Sequence, residues 1–303
     1  MESNAVKGFG LAIGAAILWG VSGTVGQFLF EHKHINVEWL ITTRMLVSGA
    51  LLLGFSGLVE KTNLLSIWHH KKDAVQLVIF SLGGMLAVQY TYFAAISRSN
   101  AATATVLQYS GPILIAGYLA IKKRSLPTGT EIGAILLAVF GTVMLVTRGN
   151  MMSLSISGLA LLFGIGSAVT LAIYTLQPAR LLTKYSSSLV IGWGMFFGGL
   201  VFSLVRAPWQ ISGLWDLQTY LGMGFIVLFG TLVAFYAYVS AVKRIGGQKA
   251  SLLASAEPLS ATLIAVIWLG ISFSGPEWIG SLCIVSTIFL LSKQSDSRGT
   301  HNG

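Results

Sequence analysis

Ten stretches of about twenty mainly apolar residues recur from one end of this chain to the other, and only a bilayer can bury so many. A helix rises 1.5 Å per residue, so about twenty residues cross a hydrocarbon core about 30 Å thick. The stretches fall near 8–29, 37–59, 74–96, 101–121, 130–147, 156–176, 187–206, 218–240, 250–270 and 277–293. Charged residues make up only 10% of the chain, against roughly a quarter in soluble domains, and mean hydropathy is +0.77. No connection is long enough for a soluble domain. The first stretch has no small-residue cleavage site before Glu31–His34 and is expected to stay as a span. The expectation is an all-α membrane protein of ten transmembrane helices.

The net charge of +9 could suggest nucleic acid, but Lys and Arg are scattered through short connections rather than gathered on one soluble face. They read instead as a topology signal. With the N-terminus inside, Lys7, Lys61, Lys71, Lys72, Lys122, Lys123, Arg124, Arg180, Lys184, Lys243, Arg244, Lys249, Lys293 and Arg298 all fall inside. Only Lys33, Arg98, Arg148 and Arg206 fall outside, with Arg44 left within a span. That excess predicts both termini in the cytoplasm, in a bacterial inner membrane. Trp39, Trp68, Trp209, Trp215, Trp268 and Trp278 lie near span ends, where amphipathic rings prefer the headgroup level. Gly10 with Gly14, and Gly194 with Gly198, are spaced for close helix approach in lipid. The lone Cys283 forms no intrachain disulfide.

Shifting the chain against itself by 146 residues aligns Leu82–Pro112 with Leu228–Pro258 without a gap. Ten of 31 positions match, among them Gly84 with Gly230, Tyr90 with Tyr236, Tyr92 with Tyr238, Arg98 with Arg244 and Pro112 with Pro258. Apolar composition does not easily put two Tyr, an Arg and a Pro in register. Each half then holds five spans, residues 1–149 and 150–303, and an odd number forces the second half to enter the membrane from the opposite side. Inverted repeats around a central site are a recurrent construction of secondary transporters.

Ala16, Trp19 and Gly20 in the first span, Arg44 in the second, Pro112 in the fourth, Ala168, Ala172 and Tyr174 in the sixth, Glu257 and Pro258 in the ninth, and Gly133 and Gly280 in the closing spans carry a family likeness. In their order, spacing and duplication the chain resembles the EamA-type branch of the drug/metabolite transporter superfamily over roughly 8–293. Many members carry an acid just after the fourth and ninth spans. This chain has Lys122-Lys123-Arg124 and Leu269-Gly270-Ile271 there, so no role for that acid carries over. The resemblance implies a ten-helix carrier with a central pathway that exports or exchanges amino acids, metabolites or toxic compounds.

Glu257 is the one acid well inside a span, where a charge is either paired or faces a polar cavity. Pro258 removes a backbone donor beside it, and Pro112 is the matching helix-breaking residue of the first half. Glu257 is expected in the solute pathway, with a structural hydrogen bond as the alternative. Arg44 either lines that pathway or snorkels to the headgroups. Gln89, Tyr90, Tyr92, Gln108 and Tyr109 in one half, with Tyr236 and Tyr238 in the other, bring polar tips into apolar spans, where they bond across helices or line a cavity. Trp19 and Trp193 are candidates for aromatic walls. The pathway is expected to have the Tyr90 and Tyr236 regions approach it from opposite halves. His32 with His34, and His69 with His70, lack further ligands at metal spacing. No phosphate-binding glycine loop points to ATP, and neither metal nor cofactor is expected. The expected partners are a small solute and the lipid bilayer but not nucleic acid, with homodimerisation left open. The leading expectation is a secondary carrier, an exporter or exchanger; the alternative is an integral membrane enzyme or lipid-handling protein, for which no clustered acids, histidines or nucleophile motif is present.

Overall fold

The computed structural model describes residues 2–122, 129–150, 155–245, 250, 253–254 and 256–299, and among these its regular structure is entirely helical. The first half runs α1 (Glu2–His32), α2 (Val37–Leu58), a short 3₁₀ turn, α3 (Lys71–Ile79, a π-helical turn at Phe80–Leu86, then Ala87–Arg98), α4 (Ala101–Gln108), α5 (Gly111–Lys122) and α6 (Gly129–Thr147). The second runs α7 (Gly158–Leu176), α8 (Ala179–Lys184), α9 (Ser187–Phe202), α10 (Leu217–Val227, a π-helical turn at Leu228–Val233, then Ala234–Ile245), α11 (Ala256–Leu269) and α12 (Gly275–Gly299). Counting α4 with α5 as one span and α8 as an extension of the sixth, these are ten membrane helices in two inverted repeats of five.

Helix starts carry their own acceptors. Asn36, Asn100, Ser157, Ser186 and Asp216 each accept a backbone N–H of the first turn they precede. Such caps satisfy donors that have no intrahelical partner. The two π turns sit at matching places in the repeat, because 82–86 shifted by 146 is 228–232. A π turn takes one more residue than an α turn and leaves carbonyls out of the usual ladder. Thr231 supplies a donor there, its hydroxyl lying 3.0 Å from the Ile226 carbonyl.

Small residues decide how closely the helices cross. A Cβ on Gly49 of α2 would lie 2.5 Å from the Phe196 nitrogen of α9, and on Gly280 of α12 it would lie 2.5 Å from the Gly141 carbonyl oxygen of α6. Both pairs therefore meet backbone to backbone, the packing available where no hydrophobic force drives helices together. Gly194 and Gly198 make room for side chains instead, receiving Phe80 and Met45 at 2.7 and 2.6 Å from where a Cβ would be.

Three expectations need correction or restriction. Gly10 and Gly14 have nothing within 4 Å of where a Cβ would be and form no helix contact. Spacing puts two glycines on one face but cannot say that a neighbour lies there. The fourth span, placed at 101–121 with Pro112 as its helix-breaking residue, is broken at Tyr109–Ser110, just before that proline, so that Pro112 falls in the first turn of α5, where its missing N–H has no partner to lose. Lys123, Arg124 and Lys249 of the charge argument lie outside the described residues.

Candidate functional site

A cavity of about 300 Å³ opens between the two halves, lined by α1, α2, α3, the α4 end, α7, α9, α10 and α11. Its position follows from the contacts of α1. Gly20 lets α11 approach so closely that a Cβ would lie 2.8 Å from both the Ala261 nitrogen and the Glu257 carbonyl oxygen. Thr24 reinforces the contact with its hydroxyl 3.4 Å from the Ala261 carbonyl. Glu257, in the first turn of α11, is thereby held over the cavity beside Trp19.

The Tyr109 hydroxyl lies 2.9 Å from Glu257 Oε2 and 2.8 Å from the Ala254 carbonyl oxygen. Its one proton faces two acceptors. Tyr109 reaches them because α4 stops at Gln108, and the break aims both side chains inward. On the opposite wall Arg44, only 8% exposed, donates from Nη1 to Gln89 Oε1 at 3.1 Å and from Nε to Thr231 Oγ1 at 3.3 Å. Its guanidinium stands 5.2 Å over the Phe93 ring, a geometry that favours a cation. Gln89 belongs to the first half and Thr231 to the second, so Arg44 joins them. Arg44 points inward rather than to the headgroups. The ion pairs Lys33–Asp216, Arg148–Glu277 and Lys184–Asp73 involve neither residue, so Arg44 and Glu257 share a cavity without a direct ion pair between them.

The repeat runs through this lining. Met85, Gln89 and Tyr92 of α3 shifted by 146 are Thr231, Phe235 and Tyr238 of α10, and all six line the cavity. Tyr92 is held by Thr105, hydroxyl to hydroxyl at 2.8 Å, and Tyr238 by Trp19, with ring centroids 5.3 Å apart. The buried Ser22 hydroxyl on the same wall has no hydrogen-bond partner among the described residues.

Of the sequence candidates, Glu257, Arg44, Trp19, Gln89, Gln108, Tyr109 and Tyr238 meet at this cavity. Tyr90 does not line it and packs instead against Phe163 and Phe202. Trp193 is turned to the helix end, where its indole N–H donates to the Leu64 carbonyl at 2.8 Å and its ring meets Trp68. Tyr236 is 64% exposed and faces Phe55. Two residues along a helix is about 200° of rotation, so with Tyr92 and Tyr238 turned inward, Tyr90 and Tyr236 point away. Pro258 is buried in the first turn of α11. Phe235, Met85 and Leu171 escape a reading of the sequence, because an apolar residue in an apolar span gives no contrast; for Phe235 the repeat partner Gln89 is the available signal. Among the described residues no group of three His, Cys, Asp or Glu could hold a metal.

Comparison with known proteins identifies the family and the fold. The family described as EamA-like transporter family matches residues 6–147 and again 158–293. A Salmonella typhimurium protein named "Uncharacterized inner membrane transporter YicL" is 41% identical over 288 residues, 94% of each chain. The Bacillus subtilis "Uncharacterized transporter YwfM" is 26% identical over 312 residues, 95% of each. A solved crystal structure that is 19% identical shares the fold, with a TM-score of 0.63 over 97% of this chain and 99% of that one.

Proposed function

The chain belongs to the EamA-like transporter family, and from that premise we propose that it is a secondary carrier, an exporter or exchanger, that moves a small polar organic solute such as an amino acid or related metabolite by alternating access. As a member it is a multi-pass membrane transporter whose partners are a small-molecule solute and the lipid around it. The observation that carries the finer reading is the presence of Arg44 and Glu257, opposite in charge and not paired with each other, on one cavity at the join of the repeats. A buried charge is costly unless it is compensated. A solute bearing both a carboxylate and an ammonium would compensate both. At about 300 Å³ the cavity is at the small end of the roughly 300–1,000 Å³ of small-molecule sites, which favours a compact solute.

Inverted halves support alternating access, since exchanging their conformations would expose one site to either side in turn. The family matches ending at 147 and resuming at 158 support a boundary near 149. The fourteen-to-four distribution of Lys and Arg supports cytoplasmic termini, and the name of the Salmonella relative supports the inner membrane. The test is counterflow in proteoliposomes with labelled amino acids and nucleosides, comparing wild type with Arg44→Gln and Glu257→Gln. Saturable exchange of a zwitterionic solute, lost in Arg44→Gln and lost or made pH-insensitive in Glu257→Gln despite normal folding, is expected. Unchanged rate, selectivity and pH profile in both variants would reject the assignment.

A further inference from the structure

A second cavity, of about 620 Å³, lies beside the first between α2, α9 and α10. Leu51, Leu52, Phe55, Ile191 and Leu232 form its apolar walls, and Glu60 stands at one end. Leu51 is 41% and Val233 44% exposed at its rim, so in a bilayer this groove opens sideways toward lipid. Phe235 is a lining residue of both cavities. Its ring meets Trp19 of the central cavity edge-on, with centroids 6.0 Å apart. Its repeat partner Gln89 anchors Arg44. One register position thus serves as a polar anchor in the first half and an apolar partition in the second.

Resting on the carrier reading above, we propose that the two cavities form one bipartite site for an amphipathic solute, its charged head between Arg44 and Glu257 and its apolar tail passing Phe235 into the lateral groove. The central cavity alone is too small for a head and a long tail. Phe235 turns about a χ1 torsion with three staggered minima, so a rotamer change of that one ring joins the two spaces. The groove is permissive rather than attractive: bilayer lipid is as apolar as Leu, so a tail gains little by leaving lipid for it. What the groove provides is somewhere for the tail to lie while the head stays bound. The occupant is therefore a small zwitterion carrying an alkyl or aryl tail, with lipid contact along the tail.

The experiment is inhibition of labelled-alanine counterflow, in proteoliposomes of the full chain, by alanine, norleucine and the α-amino acids with octyl and decyl side chains, each below the concentration that makes the vesicles leak. Wild type is expected to accept the whole series, and Phe235→Ala, whatever its rate with alanine, to keep inhibition by the octyl and decyl members relative to alanine. Phe235→Trp, which thickens the partition, and Val233→Trp, which fills the groove from its rim, are expected to lose inhibition by the decyl member by about tenfold relative to alanine. If wild type exchanges alanine but rejects the octyl and decyl members as strongly as Phe235→Trp does, the bipartite site is wrong and the carrier reading stands. The bipartite site is equally wrong if Val233→Trp still accepts the long members. If no member of the series, short or long, exchanges or inhibits, the zwitterion reading and the bipartite site both fall.

Discussion

Replacing Gly20 with Ala should damage transport through helix spacing alone. The added Cβ would sit 2.8 Å from the Ala261 nitrogen and the Glu257 carbonyl oxygen, and closer still to the Ser260 hydroxyl. The hydroxyl can rotate away; the two backbone atoms cannot. Restoring a contact of about 3.5 Å requires α1 and α11 to part by about 0.7 Å, a strain of the order of 1–3 kcal/mol. If that shift is taken up between Glu257 and Tyr109, their 2.9 Å separation becomes about 3.6 Å, beyond a hydrogen bond. Thermal unfolding in detergent and counterflow in proteoliposomes measure the two consequences, with Gly14→Ala as control because nothing lies within 4 Å of its Cβ position. Gly20→Ala should fold with lowered thermal stability and transport several-fold more slowly, and adding Ser260→Ala should not restore it. Should Gly20→Ala match Gly14→Ala in both assays, the argument that this contact positions Glu257 is refuted.

Tyr109→Phe removes the hydroxyl beside Glu257, and a hydrogen bond to a charged group is worth roughly 1.5–3 kcal/mol, so counterflow should fall about tenfold or more while expression holds; an unaltered rate would place Tyr109 outside the working site. Thr231→Val removes a hydroxyl that meets both Arg44 and the Ile226 carbonyl and should cost about 1 kcal/mol of stability, read as a lowered melting temperature in detergent; an unchanged one would mean that these two bonds do not hold the π turn. Lys33 at 2.6 Å, with Thr219, holds the Asp216 carboxyl down to about 2 from its ordinary 3.8. A depressed carboxyl stabilises the fold above its ordinary value and loses that effect as pH falls from there toward 2, so stability over that window should decline less in Asp216→Asn than in wild type. A cysteine at Lys61 should react with an impermeant reagent only after permeabilisation, and one at the 80% exposed Trp209 in intact cells; the reverse pattern would invert the topology.

The spans, the repeat and the family were legible because each is a one-dimensional signal: hydropathy over about twenty residues, identity at a constant offset, and motifs in order. Polar residues in apolar spans were legible for the same reason, which is how Arg44, Gln89, Gln108, Tyr109 and Glu257 stood out before any contact was known. Contrast fails where the lining is itself apolar. Phe235 and Met85 look like any lipid-facing residue, and Tyr174 entered only through the family likeness. Rotation about a helix axis is equally hidden: Tyr90 and Tyr92 are alike in type, and which one faces inward depends on neighbours far away in the chain. Pro112 signalled a break in the fourth span, but not its place: the helix stops at Gln108, four residues earlier, which the sequence does not mark.

The π turns of α3 and α10 have a consequence for which changes in length these helices can bear. In an ordinary span, deleting one residue rotates everything beyond it by about 100° and turns the lining face into lipid. Phe80–Leu86 and Leu228–Val233 already hold one residue more than an α-helix needs. Deleting one residue inside either turn converts it to regular α-helix and leaves Gln89, Tyr92, Phe235 and Tyr238 facing as they do. Single-residue deletions scanned along α3 and α10 should therefore be tolerated best at these two turns, where shortening the chain is the conservative change and substitution of the lining is not.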